Sequence, residues 1–404
     1  MRRSARIRNA VWVGLLSACA TSASFALTPV TLHAPPDGDA VRAFWMYAGA
    51  NFDTSSSAQP ILDFCAREGV NRIYCGAYSV WQNGTATQKN NLRAFLTAAH
   101  ASGIRVEALM GDTNWQFDDQ KVRTKIDQML TLHAATPGNQ TDDFDAVHFD
   151  VEFWIDDAWG AAATEADRRQ IAIDYLDNVL VNARTHLDAQ GESDMEVAVD
   201  LSAHLENSDK LPTPFLYNGT TQSFLGHVLD RADDVVIMSY IDYASGLWGW
   251  TSFEIGVAAA KGRSIQFGAD IQPVPPTLPI NSFADNAPNG YASMATTLEA
   301  YHNLLSPAEA AVFDGFAIFQ YTGYLAETPD PHNLADLDGD ADADAADYAR
   351  LAADLAGPDT LVTGLARDCD LDGDGAVTLR DFARFAACYS GAGVTAPVPT
   401  GCER

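Results

Sequence analysis

Eight times between residues 43 and 320 a short apolar run gives way to a turn and then to a longer amphipathic segment, and nothing else in the chain narrows its fold so far. The runs occupy 43–47, 72–76, 104–110, 146–151, 196–201, 234–240, 264–268 and 315–320. Helical patterns lie between them at 58–68, 88–102, 121–134, 165–189, 224–232, 253–261 and 291–303. Strand and helix in alternation bury a parallel sheet beneath helices, and eight repeats predict an α/β chain closed into a (β/α)8 TIM barrel over 38–326. An open doubly wound sheet has the same alternation, but its usual glycine-rich phosphate fingerprint is missing after the first run.

The fourth run is where hydrophobic patterning meets a cluster of ionisable groups: residues 144–154 read FDAVHFDVEFW. Side chains alternate along a strand, so Val147, Phe149 and Val151 should face one way and His148, Asp150 and Glu152 the other. Such a cluster can be a satisfied polar core, but at a strand's C-terminal end it marks candidate catalytic groups. His148, two residues deeper, is expected to hydrogen-bond Asp150, hold it ionised and leave Glu152 the easier group to keep protonated. Tyr240 and Asp270, at the ends of the sixth and seventh runs, complete the catalytic candidates; Asp270 shares parity with Gln266 and Gly268 and can point inward. Asp200 and Asp112 end the fifth and third runs and read as hydrogen-bonding support. Trp45 lies in the first run, while Trp81, Trp115, Trp154, Trp159, Trp248 and Trp250 follow the ends of later ones. This placement predicts an exposed aromatic rim that stacks on apolar ligand faces, with Trp45, Trp81, Trp115, Trp154 and Trp248 as candidate substrate-binding residues. No Walker loop, GxSxG elbow or HExxH pair is found, and no cofactor is expected in the barrel.

The first residues carry Arg2, Arg3, Arg6 and Arg8, then an apolar run over 10–20 and small residues ending at Ser24-Phe25-Ala26. That layout predicts a secretory signal over 1–26, with a run too short to span a membrane. Leu16-Ser17-Ala18-Cys19 is similar to the bacterial lipoprotein signal, so a lipid anchor at Cys19 is the alternative; either way the protein is expected to be secreted or attached to the cell surface. A net charge of -29 argues against nucleic acid, anionic membranes and polyanionic substrates as partners. The cysteines show no CxxC pair; bridges between Cys65 and Cys75 and within the set Cys369, Cys388 and Cys402 are expected.

Beyond a short linker at 327–335 the texture changes. Asp336, Asp338, Asp340 and Asp347 recur, 34 residues later, as Asp370, Asp372, Asp374 and Asp381, with Asp342 an extra carboxylate in the first copy, and each set is followed by one helical pattern. Carboxylates at positions one, three, five and twelve of a twelve-residue loop have the spacing that wraps oxygens around Ca²⁺. Residues 336–391 should therefore form a small all-α, EF-hand-like domain with two Ca²⁺ sites, followed by a tail at 392–404. Ala341 replaces the sixth-position glycine in the first loop, so the second should be the better site.

The two copies, with DLDGDGAVTLRDF the clearest segment, resemble the dockerin type I module; the resemblance implies Ca²⁺-dependent folding and docking to a cohesin on a scaffold or cell surface. The fourth run resembles the DxxDxDxE signature of family 18 glycoside hydrolases, the chitinase-like barrels. Asp145, Asp150 and Glu152 match it, while His148 stands at the middle Asp. Met238-Ser-Tyr240 resembles that family's strand-six element with Ile241 inserted before Asp242, and Phe319 takes the place of the strand-eight Trp. A secreted family of uncharacterised barrels with an HFDVE core is also similar. The family 18 resemblance implies that Glu152 protonates a glycosidic oxygen while the substrate's acetamido group attacks, oriented by Asp150 and Tyr240. An ordinary retaining route with Asp270 as nucleophile, about 5 to 5.5 Å from the acid, stays open. The expected function is a glycoside hydrolase-like protein acting on a polysaccharide or oligosaccharide; the alternative is a catalytically inactive carbohydrate-binding or cell-surface adhesion protein.

Overall fold

The computed structural model describes residues 27–32, 39–47, 49–54, 57–136, 140–203, 205–206, 210–211, 213–272, 282–285 and 290–327, and in the C-terminal region 335, 337, 343–355, 369, 371, 376–391 and 402. The expected signal at 1–26, Cys19 within it, and most of the linker lie outside the described residues.

Eight parallel strands close into a barrel: β1 (Val41–Met46), β2 (Arg72–Cys75), β3 (Arg105–Met110), β4 (Ala146–Phe149), β5 (Glu196–Ser202), β8 (Asp234–Met238), β9 (Ile265–Asp270) and β10 (Phe313–Phe319). Each lies within a few residues of its predicted run. An antiparallel hairpin of β6 (Phe215–Tyr217) and β7 (Thr220–Gln222) sits between β5 and β8. The eightfold pattern passed over it, although Asn218-Gly219 between two short runs is a hairpin turn signal. Both turn residues adopt positive φ, 46° and 80°.

The helices outside the strands begin and end where local chemistry dictates. Thr85 and Thr164 close capping boxes with Gln88 and Asp167, satisfying amides that the first turn leaves bare. Gly69, Gly191 and Gly262 end three helices in the left-handed conformation. The helix Ala244–Lys261 starts nine residues before its apolar pattern did, and Trp248 and Trp250 therefore lie on it and not in a loop. Among the described residues no helix is long and apolar enough to cross a membrane.

Strand parity divides the core in two. Outward residues such as Val147, Phe149 and Val151 pack under the helices. Inward residues form a second cluster of Val41, Ala43, Trp45, Tyr74, Leu109, Val236 and Ala317. Below that cluster the barrel is charged: Arg72 pairs with Asp234 and, at 3.7 Å, with Glu107, while Arg105 bonds Glu107 at 2.9 Å and also Glu196. Tyr74 donates to Gln266 at 2.7 Å, and Gln266 donates on to Asp234.

The C-terminal region has a core of its own, and eight of its ten described members come in pairs 34 residues apart: Ala335 with Cys369, Leu337 with Leu371, Ala343 with Val377, Leu351 with Phe385. Two helices, Ala345–Asp354 and Leu379–Cys388, each start from a capping box. Cys388 and Cys402 form a disulfide. Cys65 and Cys75 do not: both are buried free thiols, on the helix Gln59–Glu68 and on β2.

Candidate functional site

The chemistry-bearing side chains gather at the C-terminal ends of the barrel strands. β4 ends at Phe149, two residues earlier than its apolar run, but the alternation holds through Asp150. The Asp150 amide bonds the Met110 carbonyl at 3.0 Å. Gly111 makes this approach possible, since a Cβ there would lie 1.8 Å from the Asp150 carbonyl oxygen. Glu152 follows at the foot of a short helical turn, Phe153–Ile155. Phe153 is fully buried against Trp159, Tyr175 and Phe224, with ring centroids 5.0 to 5.7 Å apart, so Glu152 stands on an anchored turn.

His148 lies deeper and makes different bonds from those expected. Its Nδ1 is 2.8 Å from Glu107 and its Nε2 3.0 Å from Asp200, all three side chains fully buried. Both ring nitrogens are thus taken by carboxylates on the two neighbouring strands, and Asp150 is not the partner. Burial alone would pull the imidazole down, but Asp200 and Glu107 outweigh it and hold His148 at about 10. Burial in turn would raise Glu107, yet His148, Arg72 and Arg105 bring it to about 2. These two groups form a standing ion pair.

The rim carboxyls are shifted the other way. Burial, then Asp200 and Glu152, push Asp150 up, against the opposing pull of His148 and the Tyr47 hydroxyl. Burial and then Asp200 raise Glu152. The expectation that His148 holds Asp150 ionised is therefore overturned: the imidazolium is spent on Glu107 and Asp200, and Asp150 keeps its proton more readily. Asp200, a neighbour of the same sign, disfavours the ionisation of both.

Tyr240 leans on Phe319 and Trp45, at 5.5 and 6.4 Å between centroids, over Gly268, where a Cβ would lie 3.0 Å from the tyrosine ring. Its hydroxyl, like Oδ1 of Asp150, is sealed from bulk solvent with no hydrogen-bond partner among the described residues. Asp270 ends β9 and accepts the Gln272 amide on Oδ1 at 2.7 Å, so that oxygen fastens the following loop. Tyr47, which sequence reading passed over, donates to Asp150 at 3.3 Å and leaves its ring 45% exposed. Glu107 was also missed. A charged residue in the apolar run 104–110, with inward parity, was the available signal.

The aromatic rim is largely absent. Trp45 is buried inside the barrel and donates its indole N–H to Asp200 at 2.9 Å. Trp81 and Trp115 pack in the outer wall, at 5.2 Å from Phe144 and 6.5 Å from Phe149. Residues this large are worth about 3–5 kcal/mol in a core, more than solvent exposure returns, so a tryptophan beside a wall is drawn into it. Trp154 and Trp248 are half-buried against Phe153 and Tyr301.

Of the expected calcium ligands, Asp336, Asp338, Asp340, Asp342, Asp370, Asp372 and Asp374 lie outside the described residues. Asp347 and Asp381 are fully buried. Asp347 accepts the amides of Leu337 and Asp344 at 2.6 and 2.7 Å, and Asp381 that of Thr378 at 2.7 Å. Among the described residues no group of three or more His, Cys, Asp or Glu side chains could hold a metal ion.

No family model and no curated protein matches the chain. Among solved structures it is similar to a GH18 chitinase of Cycas revoluta in complex with (GlcNAc)3, at 10% identity and TM-score 0.38, over 71% of this chain and 96% of that one. It is similar to the spore cortex-lytic enzyme SleL of Bacillus megaterium, at 14% identity and TM-score 0.40, over 69% and 70% of the two chains. An endo-beta-N-acetylglucosaminidase of Cordyceps militaris is similar at 12% identity and TM-score 0.36, over 83% and 91%.

Proposed function

We propose that the barrel is an O-glycosyl hydrolase acting on a polysaccharide or oligosaccharide, with Glu152 as general acid. The observation that carries this is the pair Glu152 and Asp150 at the barrel rim, both pushed toward the protonated form. A carboxyl pushed toward its protonated form can give that proton to a glycosidic oxygen as the bond to the anomeric carbon breaks. The sealed, unpartnered Tyr240 hydroxyl and Asp150 Oδ1 favour a substrate that brings its own polar substituent to them. An acetamido group meets this need: its carbonyl oxygen bonds to the anomeric carbon, and water then opens the resulting ring while Glu152 recovers its proton. The Gln272 amide on Asp270 favours this route over attack by Asp270.

The protein in this reading is exported, and 336–391 is a dockerin-like module that binds two Ca²⁺ and anchors the barrel to a cohesin-like or other surface scaffold. Asp336, Asp338 and Asp340 with Asp347, and Asp370, Asp372 and Asp374 with Asp381, would hold the ions. The buried position of Asp347 and its grip on Leu337, inside the first loop, support a loop folded back on its helix.

Product formation on a panel of neutral and N-acetylated glycans tests the barrel. Glu152→Gln should lower turnover by about 10²–10⁴-fold. Full activity in that variant places the acid elsewhere, and binding without turnover by the wild type would favour the carbohydrate-binding alternative. Calorimetric titration of the full chain with Ca²⁺ tests the module independently; no uptake defeats it.

A further inference from the structure

Asp200 is fully buried beside the rim carboxyls, and none of the steps above uses it. In the β4–β5 register His148 is level with Ala198 and Phe149 with Val199. The pairing ends there, and Asp150 and Asp200 are the next residues along the two segments. Both oxygens of Asp200 are engaged by buried groups: Trp45 Nε1 donates to Oδ2 at 2.9 Å, and His148 Nε2 stands 3.0 Å from Oδ1. His148 is fixed on its far side by Glu107 at 2.8 Å, and Glu107 by Arg105 at 2.9 Å. The guanidiniums of Arg72 and Arg105 are committed to Glu107, Asp234 and Glu196. A buried carboxylate hydrogen-bonded on one oxygen and ion-paired at the other, beside groups already committed elsewhere, has little freedom to turn away.

We propose, resting on the reading of Asp150 and Glu152 as the reacting carboxyls, that Asp200 is a positioning residue: a locked buried anion, clamped by Trp45 and the His148 imidazolium, whose charge retains the acid proton on that pair. Like charges within one low-dielectric site disfavour a further ionisation, so an anion that cannot relax makes its neighbours hold their proton. His148 takes part as the counter-ion that faces Asp200 at 3.0 Å, which gives a function to the residue standing where the resembling signature has an aspartate.

The groups facing this anion come from several elements. Tyr47 reaches it from just beyond β1, Tyr74 from β2, Tyr240 from beyond β8 and Tyr175 from the helix Glu165–Tyr175; loss of solvent around the hydroxyls pushes all four phenols up, and they stay neutral. Asp270 on β9 acts on Tyr240. From β4 and its end come His148, Asp150 and Glu152, so the proton exchange that the proposal concerns is confined to these.

The test is a carboxyl ¹³C and imidazole ¹⁵N NMR titration of the full chain, run on the wild type, Asp200→Asn and Asp200→Glu, beside the pH profile of kcat/KM. In Asp200→Asn the last proton should leave the Asp150–Glu152 pair about one pH unit earlier, a tenfold change in the proton equilibrium. The basic limb of kcat/KM should move down with it, and Asp200→Glu should restore most of the shift. A uniform loss of activity with both titration and limb unmoved reduces Asp200 to a structural part and overturns the proposal. Should Asp200→Asn fail to fold, the wild-type His148 ring decides: an imidazolium that persists at about pH 8 sustains the clamp, and a neutral ring there overturns it. The carboxyl titration reads this inference even where no glycan is cleaved, so failure of the hydrolase reading and failure of the anion are separately visible.

Discussion

The floor and the rim of one barrel hold the same kind of residue in opposite states. On the floor, Glu107 and Asp234 meet guanidiniums, and Glu107 is driven to about 2 by His148 and the arginines against its burial. At the rim, Asp150 and Glu152 are also withdrawn from water but meet another carboxylate, and both are raised. Burial is deeper on the floor and pushes carboxyls upward in both places, so the lowered state of Glu107 comes from the sign of its neighbours, while at the rim burial and Asp200 act in the same direction. The floor resembles a structural salt network, and the rim a store of protons.

That contrast can be broken most readily at Glu107. Glu107→Gln leaves Arg105 and His148 short of a buried counter-charge and should cost about 3–5 kcal/mol in urea unfolding at neutral pH. Asp150→Asn, which removes a carboxyl already disfavoured in its ionised form, should cost far less or stabilise. Equal losses for the two would erase the distinction. Trp45→Phe comes next: losing its hydrogen bond to the Asp200 carboxylate should cost about 1.5–3 kcal/mol, measured in the same way.

The pH dependence follows from signs. Glu107, lowered on folding, contributes stability that is complete above its unfolded value and is lost as pH falls through about 2. His148, raised on folding, contributes stability that is complete below its ordinary value of 6.5 and is lost as pH rises through about 10. Asp150 and Glu152, raised, become a cost as they ionise. Thermal unfolding across pH should therefore show a maximum between the Glu107 and His148 windows, in mildly acidic buffer. The smallest effect belongs to Tyr47→Phe. Without the 3.3 Å bond, Asp150 ionises less readily and the carboxyl titration moves slightly upward; a downward shift would show that the hydroxyl works otherwise.

What was legible in the sequence separates along similar lines. Strand parity was readable because alternation is set within the strand: the split of Val147 and Phe149 from His148 and Asp150 survives in the fold. The C-terminal pairing was readable for the same reason, since its buried residues repeat at a fixed offset. The partner of His148 was not. Glu107 and Asp200 lie 41 and 52 residues away, on strands whose register no local pattern states. The tryptophans failed differently: position after a strand fixes which end of the barrel a residue occupies, but rim or wall is chosen by the apolar neighbours that helices supply. Trp81 found Phe144, and Trp115 found Phe149.

The approach of Gly111 to Asp150 has an implication for anyone mapping this protein by substitution. A Cβ at that place collides with the backbone that carries Asp150, so replacements there should abolish the proposed hydrolysis while leaving every ionisable group intact. A mutational scan would score position 111 with the acid itself, though glycine has no atom to lend the reaction. What it supplies is room.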